Sequence, residues 1–323
     1  MKIIEKAYSL MDNKKYKFIS LAALFVVAAL LPLFSNNYGL SVIWNTMFYM
    51  LLALGLNVIV GYCGLCDLGY AAKFAIGAYT TGILIKTFAW SFWLTLPVSI
   101  LVSVVIAVII GAPTLKLRSD YLAIVTLGFA EIVRITANRL DLMGGASGIN
   151  AIQRPEFFGL RLTQAVHWHY VFLGLLVIFI IVSHRIKFSR FGRALAYIRE
   201  DEDAAQAMGV NTTKYKLYAY IVGAVMGGIT GSFYAVKMTS ISPNAFDFTQ
   251  SVNVLLAVIL GGMGKTPGVL VGAAFFAVFP EIFRDIPYVS DMRMLFFGLL
   301  LILVMMKRPQ GIWPERKRGK MSE

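Results

Sequence analysis

The sequence predicts an all-helical integral membrane protein, a single bundle of about ten spans over residues 1–323. Three observations carry that reading. First, 58% of the residues are hydrophobic and 15% charged, with a mean hydropathy of +0.72. Soluble globular chains hold roughly 45–50% apolar and about 25% charged residues, so this chain falls outside their range. Second, apolar runs recur from Phe18 to Met306 with no long polar stretch between them. Third, the basic residues sort to one side of those runs. The formal net charge of +13 lies in loops and tails, which fits a cytoplasmic membrane face and excludes a nucleic-acid stripe.

A helical span needs about 20 mainly apolar residues at about 1.5 Å each. Such segments fall at 18–34, 40–60, 68–89, 92–112, 121–136, 168–184, 217–236, 251–263, 268–283 and 294–306. The first follows Lys14, Lys15 and Lys17 and resembles a signal peptide in outline. Its apolar run is long, however, and Ser35-Asn36-Asn37-Tyr38 offers no small-x-small cleavage pattern, so it reads as a retained span. With the N-terminus inside, the cytoplasmic segments hold 21 Lys and Arg against six outside. That asymmetry supports the count and makes 1–17 and 307–323 cytoplasmic tails. Two segments are short: 121–136 rises about 24 Å and 251–263 about 20 Å, against a hydrocarbon core of about 30 Å. They are either broken helices that line a pathway or spans drawn too tightly. Gly223, Gly227 and Gly231 repeat every four residues, as do Gly268 and Gly272, a spacing that lets helix backbones approach in lipid.

The longest cytoplasmic loop is 185–216. Its alanine, leucine and charged residues predict one helix over 193–208, closed by Gly209 at the C-cap position. Lys187, Arg190 and Arg193 are expected to face anionic lipid heads or the cytosol. The acidic cluster Glu200, Asp201, Glu202 and Asp203 then projects close to the membrane. On physics alone this is a solvated amphipathic loop.

Asp203-Ala204-Ala205, followed by Gly209, resembles the EAA loop of ABC-importer permeases, with aspartate in place of glutamate. The stretch Gly192 through Leu195 and on to Ile198-Arg199-Glu200-Asp201-Glu202 is similar to branched-chain amino-acid importer permeases of the LivM type. PTLKLRSDYLAIVTLGFAEIVR (113–134), GGASGI (144–149), SPNAFDFTQS (242–251), GGMGKTPG (261–268) and RPQGIWP (308–314) fit the same family in the same order. The resemblance implies an ABC-importer permease bundle in a bacterial plasma membrane. It implies a coupling loop made of Arg199, Glu200, Asp201, Glu202, Asp203, Ala204, Ala205 and Gly209 that docks into a groove of a partner ATPase. The partners it implies are a second, homologous but different permease, two cytoplasmic ATPases and an extracytoplasmic binding protein. Loops 137–167 and 237–250 are candidate docking surfaces for that binding protein. Leucine, isoleucine and valine are the implied cargo, with urea, short amides or other amino acids as alternatives. No catalytic, cofactor or metal residue is assigned. A secondary transporter, needing no ATPase, is the rival class.

Several motifs lead elsewhere. Cys63-Gly64-Leu65-Cys66 has redox or metal spacing, but no further ligand lies nearby and the family pattern runs through Gly64, Leu65, Leu68, Gly69 and Tyr70. Gly264-Lys265-Thr266 imitates the end of a phosphate loop but has Ile259 where that loop needs glycine. Glu131 and Arg134 lie three apart on one face of an apolar helix, either as a structural ion pair or as pathway groups. Asp67 and Lys73 flank Tyr70 at a predicted membrane edge. Lys73 departs from the family pattern, which has a large apolar residue there. It either snorkels to the surface or pairs with Asp67. Asn57, Tyr79 and Asn253 are further candidate polar liners.

Overall fold

The computed structural model of the chain describes residues 31–32, 36–115, 119–157, 160–282, 298–299, 302, 306 and 311–312. The expected spans 18–34 and 294–306 and the tails 1–17 and 307–323 lie wholly or largely outside the described residues. From Asn37 onward the order is α1 (Asn37–Leu56), which ends in a π-helical turn (Asn57–Tyr62), then α2 (Tyr70–Phe88), α3 (Phe92–Thr114) and α4 (Ser119–Arg139). Strands β1 (Ile149–Asn150), β2 (Glu156–Phe157) and β3 (Leu160–Arg161) follow. After them come α5 (Ala165–Phe188), α6 (Arg190–Glu200), α7 (Glu202–Ala207) and α8 (Thr212–Met238). Strand β4 (Ser240–Ile241), a 3-10 turn (Pro243–Phe246), α9 (Phe248–Gly261) and α10 (Thr266–Ile282) complete the described chain.

Every span drawn between 40 and 283 has a helix at its place. Five of the described helices are long and apolar enough to cross a membrane: Asn37–Tyr62, α3, α4, α5 and α8. The expected count of about ten is therefore not reached among the described residues. Lys73 and Lys86 lower the hydropathy of α2, while α9 and α10 have 14 and 17 residues. Segment 121–136 was simply drawn short, since α4 runs to 21 residues. Segment 251–263 is short in fact.

The bundle is built around α1, α2 and α8. The apolar windows of α1 and α8 are each 72% buried, against 28% for α3 and α4. Helix α3 shows why. Its inward stripe is Thr95, Ser99, Ser103, Ala107, Gly111 and Thr114, while Leu94, Leu101, Val105 and Ile109 point outward. Lipid is as apolar as leucine, so close packing and hydrogen bonds, rather than hydrophobicity, decide which face turns inward. Ser99 accordingly lies 2.7 Å from Ser232 of α8, hydroxyl to hydroxyl. The glycines make the tightest seams. A Cβ on Gly231 would sit 2.0 Å from the Phe74 carbonyl oxygen, and one on Gly77 2.0 Å from that of Gly228. Gly261 packs the same way against Gly268, joining α9 to α10. At the end remote from the 185–216 loop, β1 pairs antiparallel with β4, Ile149 opposite Ile241.

These seams predict an asymmetric response to substitution. Gly231→Val forces a side chain onto backbone and should lower stability by about 1–3 kcal/mol or more. Gly174→Ala on α5, where an added Cβ meets nothing within 4 Å, should leave it unchanged or slightly raised. Thermal midpoints of the detergent-solubilised protein separate the two.

Candidate functional site

The chain between α1 and α2 breaks inside the bundle, and side chains from three other helices and from the break itself repair it. The π-helical turn has Asn57 and Gly61 facing the loop that opens α10. Asn57 Oδ1 accepts from the Gly264 amide at 2.8 Å, and the Gly61 carbonyl accepts from Arg199 Nη1 at 2.6 Å. Beyond Gly64, whose φ of +78° turns the chain, residues 64–69 are not helical. The Leu68 amide donates to Thr126 Oγ1 (3.2 Å), the Gly69 amide to Asp67 Oδ1 (3.0 Å) and the Ala71 amide to Ser251 Oγ (2.9 Å). Each of these N–H groups would otherwise be left unpaired away from water. Tyr70 then donates its hydroxyl to the Gly223 carbonyl at 3.2 Å.

Within the break lies a buried ion pair. Asp67 and Lys73 are both inaccessible to solvent and bond directly. The Lys73 ammonium also lies 3.8 Å from the centre of the Tyr220 ring and 5.5 Å from that of Tyr70. Lys73 therefore does not snorkel; it is partnered by a carboxylate and the faces of two rings.

The 185–216 loop differs from the expected single helix over 193–208. It forms α6 and α7, with Asp201 between them in extended conformation (φ −157°, ψ 110°). The cause is Asp201 itself: its Oδ1 accepts from the Ala204 amide at 3.0 Å and caps α7, so the side chain competes with a continuing helix. Ser189 caps α6 and Asn211 caps α8 in the same way. Gly209 does close the segment, at φ +84°. Leu195, Ile198 and Ala205 are buried against the bundle, whereas Met208 is 85% exposed and Tyr197 58%. Glu202 pairs with the buried Lys216 at the base of α8. Lys187 was expected to face lipid heads or the cytosol; instead it donates to the Gly264 carbonyl at 2.7 Å. Arg190 and Arg193 are exposed. Arg199, Lys187 and Asn57 thus tie the loop, the end of α1 and the start of α10 into one corner at Gly61 and Gly264.

The other candidate residues do not join this corner. Glu131 and Arg134 on α4 form an ion pair at 2.9 Å, each partly exposed. Tyr79 is buried, its ring against Phe246, and Asn253 is half-buried on α9. Cys63 and Cys66 are thiols rather than a disulfide. Burial pushes the Cys63 thiol up to about 12, which keeps it protonated and a poor nucleophile or ligand. Thr126, Ser251, Lys216 and Gly264 were missed as positioning residues. Thr126, Ser251 and Gly264 each lie in a stretch that fits the family (113–134, 242–251 and 261–268), which marked the segments but not these residues' partners.

Comparison with known proteins identifies the family. A family profile described as branched-chain amino acid transport system / permease component matches residues 38–305. The chain is 38% identical to the high-affinity branched-chain amino acid transport system permease protein LivM of Salmonella typhimurium, over 91% of this chain and 74% of that protein. It is 25% identical to a probable LivM of Methanocaldococcus jannaschii, over 85% of this chain and 92% of that one. It is also 25% identical to LivH of Salmonella typhimurium, over 82% and 90%. No solved structure matches the chain.

The buried pair should behave as a unit. Lys73→Met leaves an uncompensated carboxylate and should destabilise the protein by roughly 3–5 kcal/mol. Adding Asp67→Asn, which keeps an oxygen for the Gly69 amide, should recover most of that loss. Thermal unfolding of the single and double variants measures both.

Proposed function

The chain belongs to the branched-chain amino acid transport system permease family, and we propose that it is the membrane permease of an ATP-driven importer for leucine, isoleucine and valine. It is a transport subunit and not an enzyme. We infer ten spans with both termini in the cytoplasm, a reading supported by the 21-to-6 charge asymmetry. The assembly holds a second, homologous permease, two cytoplasmic ATPases and an extracytoplasmic binding protein. Loops 137–167 and 237–250 receive the binding protein.

The observation that carries the coupling reading is the corner at Gly61 and Gly264. In this proposal α6 and α7, residues 199–209, dock into the ATPase with Met208 as the exposed apolar tip. The Arg199 bond to Gly61 and the Lys187 bond to Gly264 make the loop one body with the cytoplasmic ends of α1 and α10. Movement of the ATPases on binding ATP then biases a two-state bundle, and the binding protein biases the same equilibrium from outside. A secondary transporter is the second reading, because it requires a charged site inside the membrane and Asp67–Lys73 is one. That pair is neutral as a unit and closed by two tyrosine rings, which favours a structural role.

Uptake of labelled leucine into vesicles carrying the assembled system tests this. Uptake should need both ATP and the binding protein. Met208→Glu, which disturbs no buried contact, should cut it by about tenfold or more while the protein inserts normally. Uptake driven by an ion gradient without ATP contradicts the importer; import of urea instead of leucine changes the cargo alone.

A further inference from the structure

Helix α4 carries two charges on a surface that lipid would not tolerate. Glu131 is the thirteenth of 21 residues, about 18 Å from the start of a helix about 30 Å long, well within membrane depth. The face of α4 that meets the bundle is Leu122, Ala123, Thr126, Ala130 and Ala137, all buried. Glu131 and Arg134 lie off that face, with side chains 32% and 27% exposed. Their neighbours on the outward side are Ile124, Ile132 and Ile135. An ionisable residue at this depth is costly even by the mildest scale, and such residues almost always face a cavity or a bundle interior.

The pair is also only half used. Its contact joins Arg134 Nε to Glu131 Oε2. Among the described residues, the two Nη groups and Oε1 make no hydrogen bond. Hydrocarbon offers them no partner. One turn before Glu131, a Cβ on Gly128 would meet nothing within 4 Å, so the approach is open.

We propose that Glu131 and Arg134 form a binding site for the zwitterionic backbone of an amino-acid cargo, on a face of α4 that borders an aqueous route rather than lipid. The inference rests on the importer reading and adds the site. The free guanidinium edge takes the α-carboxylate through two parallel N–H bonds, and Oε1 takes the α-ammonium. A site holding one charge of each sign matches a zwitterion and discriminates against an anion, a cation or a neutral amide. Ile124, Ile132 and Ile135 offer apolar contact to a branched side chain.

The test uses the assembled transporter in proteoliposomes with ATP and the binding protein. Gly128→Cys, in a Cys63→Ser, Cys66→Ser background that still transports, is treated with a small membrane-impermeant thiol reagent. The site predicts modification from the aqueous phase, slowed at least threefold by leucine, with that protection lost in Glu131→Gln, Arg134→Gln. The same double variant should insert normally yet lose tenfold or more in leucine uptake. Arg134→Lys, which keeps the charge without the fork, should keep part of it. A Gly128→Cys that stays unmodified, or a double variant that imports leucine like the wild type, overturns the site while the importer stands. If the wild type itself imports no amino acid, the importer reading fails and the zwitterion site with it.

Discussion

The rest of the structure depends on one constraint: where the chain leaves helical structure inside the bundle, its freed backbone groups must be satisfied by the protein. Between α1 and α2 the chain abandons helical hydrogen bonding for about six residues. Asp67, Thr126, Ser251 and Arg199 then supply partners one by one, and Asn57 at the end of α1 accepts from the Gly264 amide before α10. These side chains come from α4, α6 and α9 as well as from the break itself. The break therefore fixes where those helices sit. The bonds at Gly61 and Gly264 place the start of α10 beside the end of α1, and the 185–216 loop beside both.

Packing supplies the second half of the account. In lipid, association of helices gains little from burying apolar side chains, so close backbone approach and interhelical hydrogen bonds take over. Gly77, Gly228 and Gly231 let α2 and α8 meet backbone to backbone, and Ser99 and Ser232 bond across α3 and α8. In the proposed import cycle, the corner at Gly61 and Gly264 is the point where force enters this bundle.

Much of this was legible in the sequence. Hydropathy placed a helix at every expected span from 40 to 283, and the four-residue glycine repeat marked seams that the structure bears out. Composition placed helix in the 185–216 loop, but its division at Asp201 was not foreseen. Alanine and leucine propensity favoured one helix, and a single aspartate acting as a cap outweighed it. Lys187 read as a surface charge, and Lys216 was not singled out, because their partners, the Gly264 carbonyl and Glu202, lie at sequence distances no local pattern reports. Thr126 and Ser251 lie in stretches that fit the family, but their role was invisible for the same reason: a hydroxyl in an apolar helix looks alike whether it bonds its own turn or repairs another segment. The pairing of Asp67 with Lys73 was foreseen as one of two outcomes. The aromatic enclosure by Tyr220, 147 positions beyond Lys73, was not.

The central claim is that Arg199 joins the ATPase-docking loop to the helix ends as one mechanical body. The most direct measurement is leucine transported per ATP hydrolysed by the assembled importer, wild type against Arg199→Met. The account predicts that the ATPases stay bound and hydrolyse ATP while this ratio falls by about tenfold, within the 5–150-fold range of ordinary coupling energies. An unchanged ratio would contradict it, and would mean that force enters the bundle by another route.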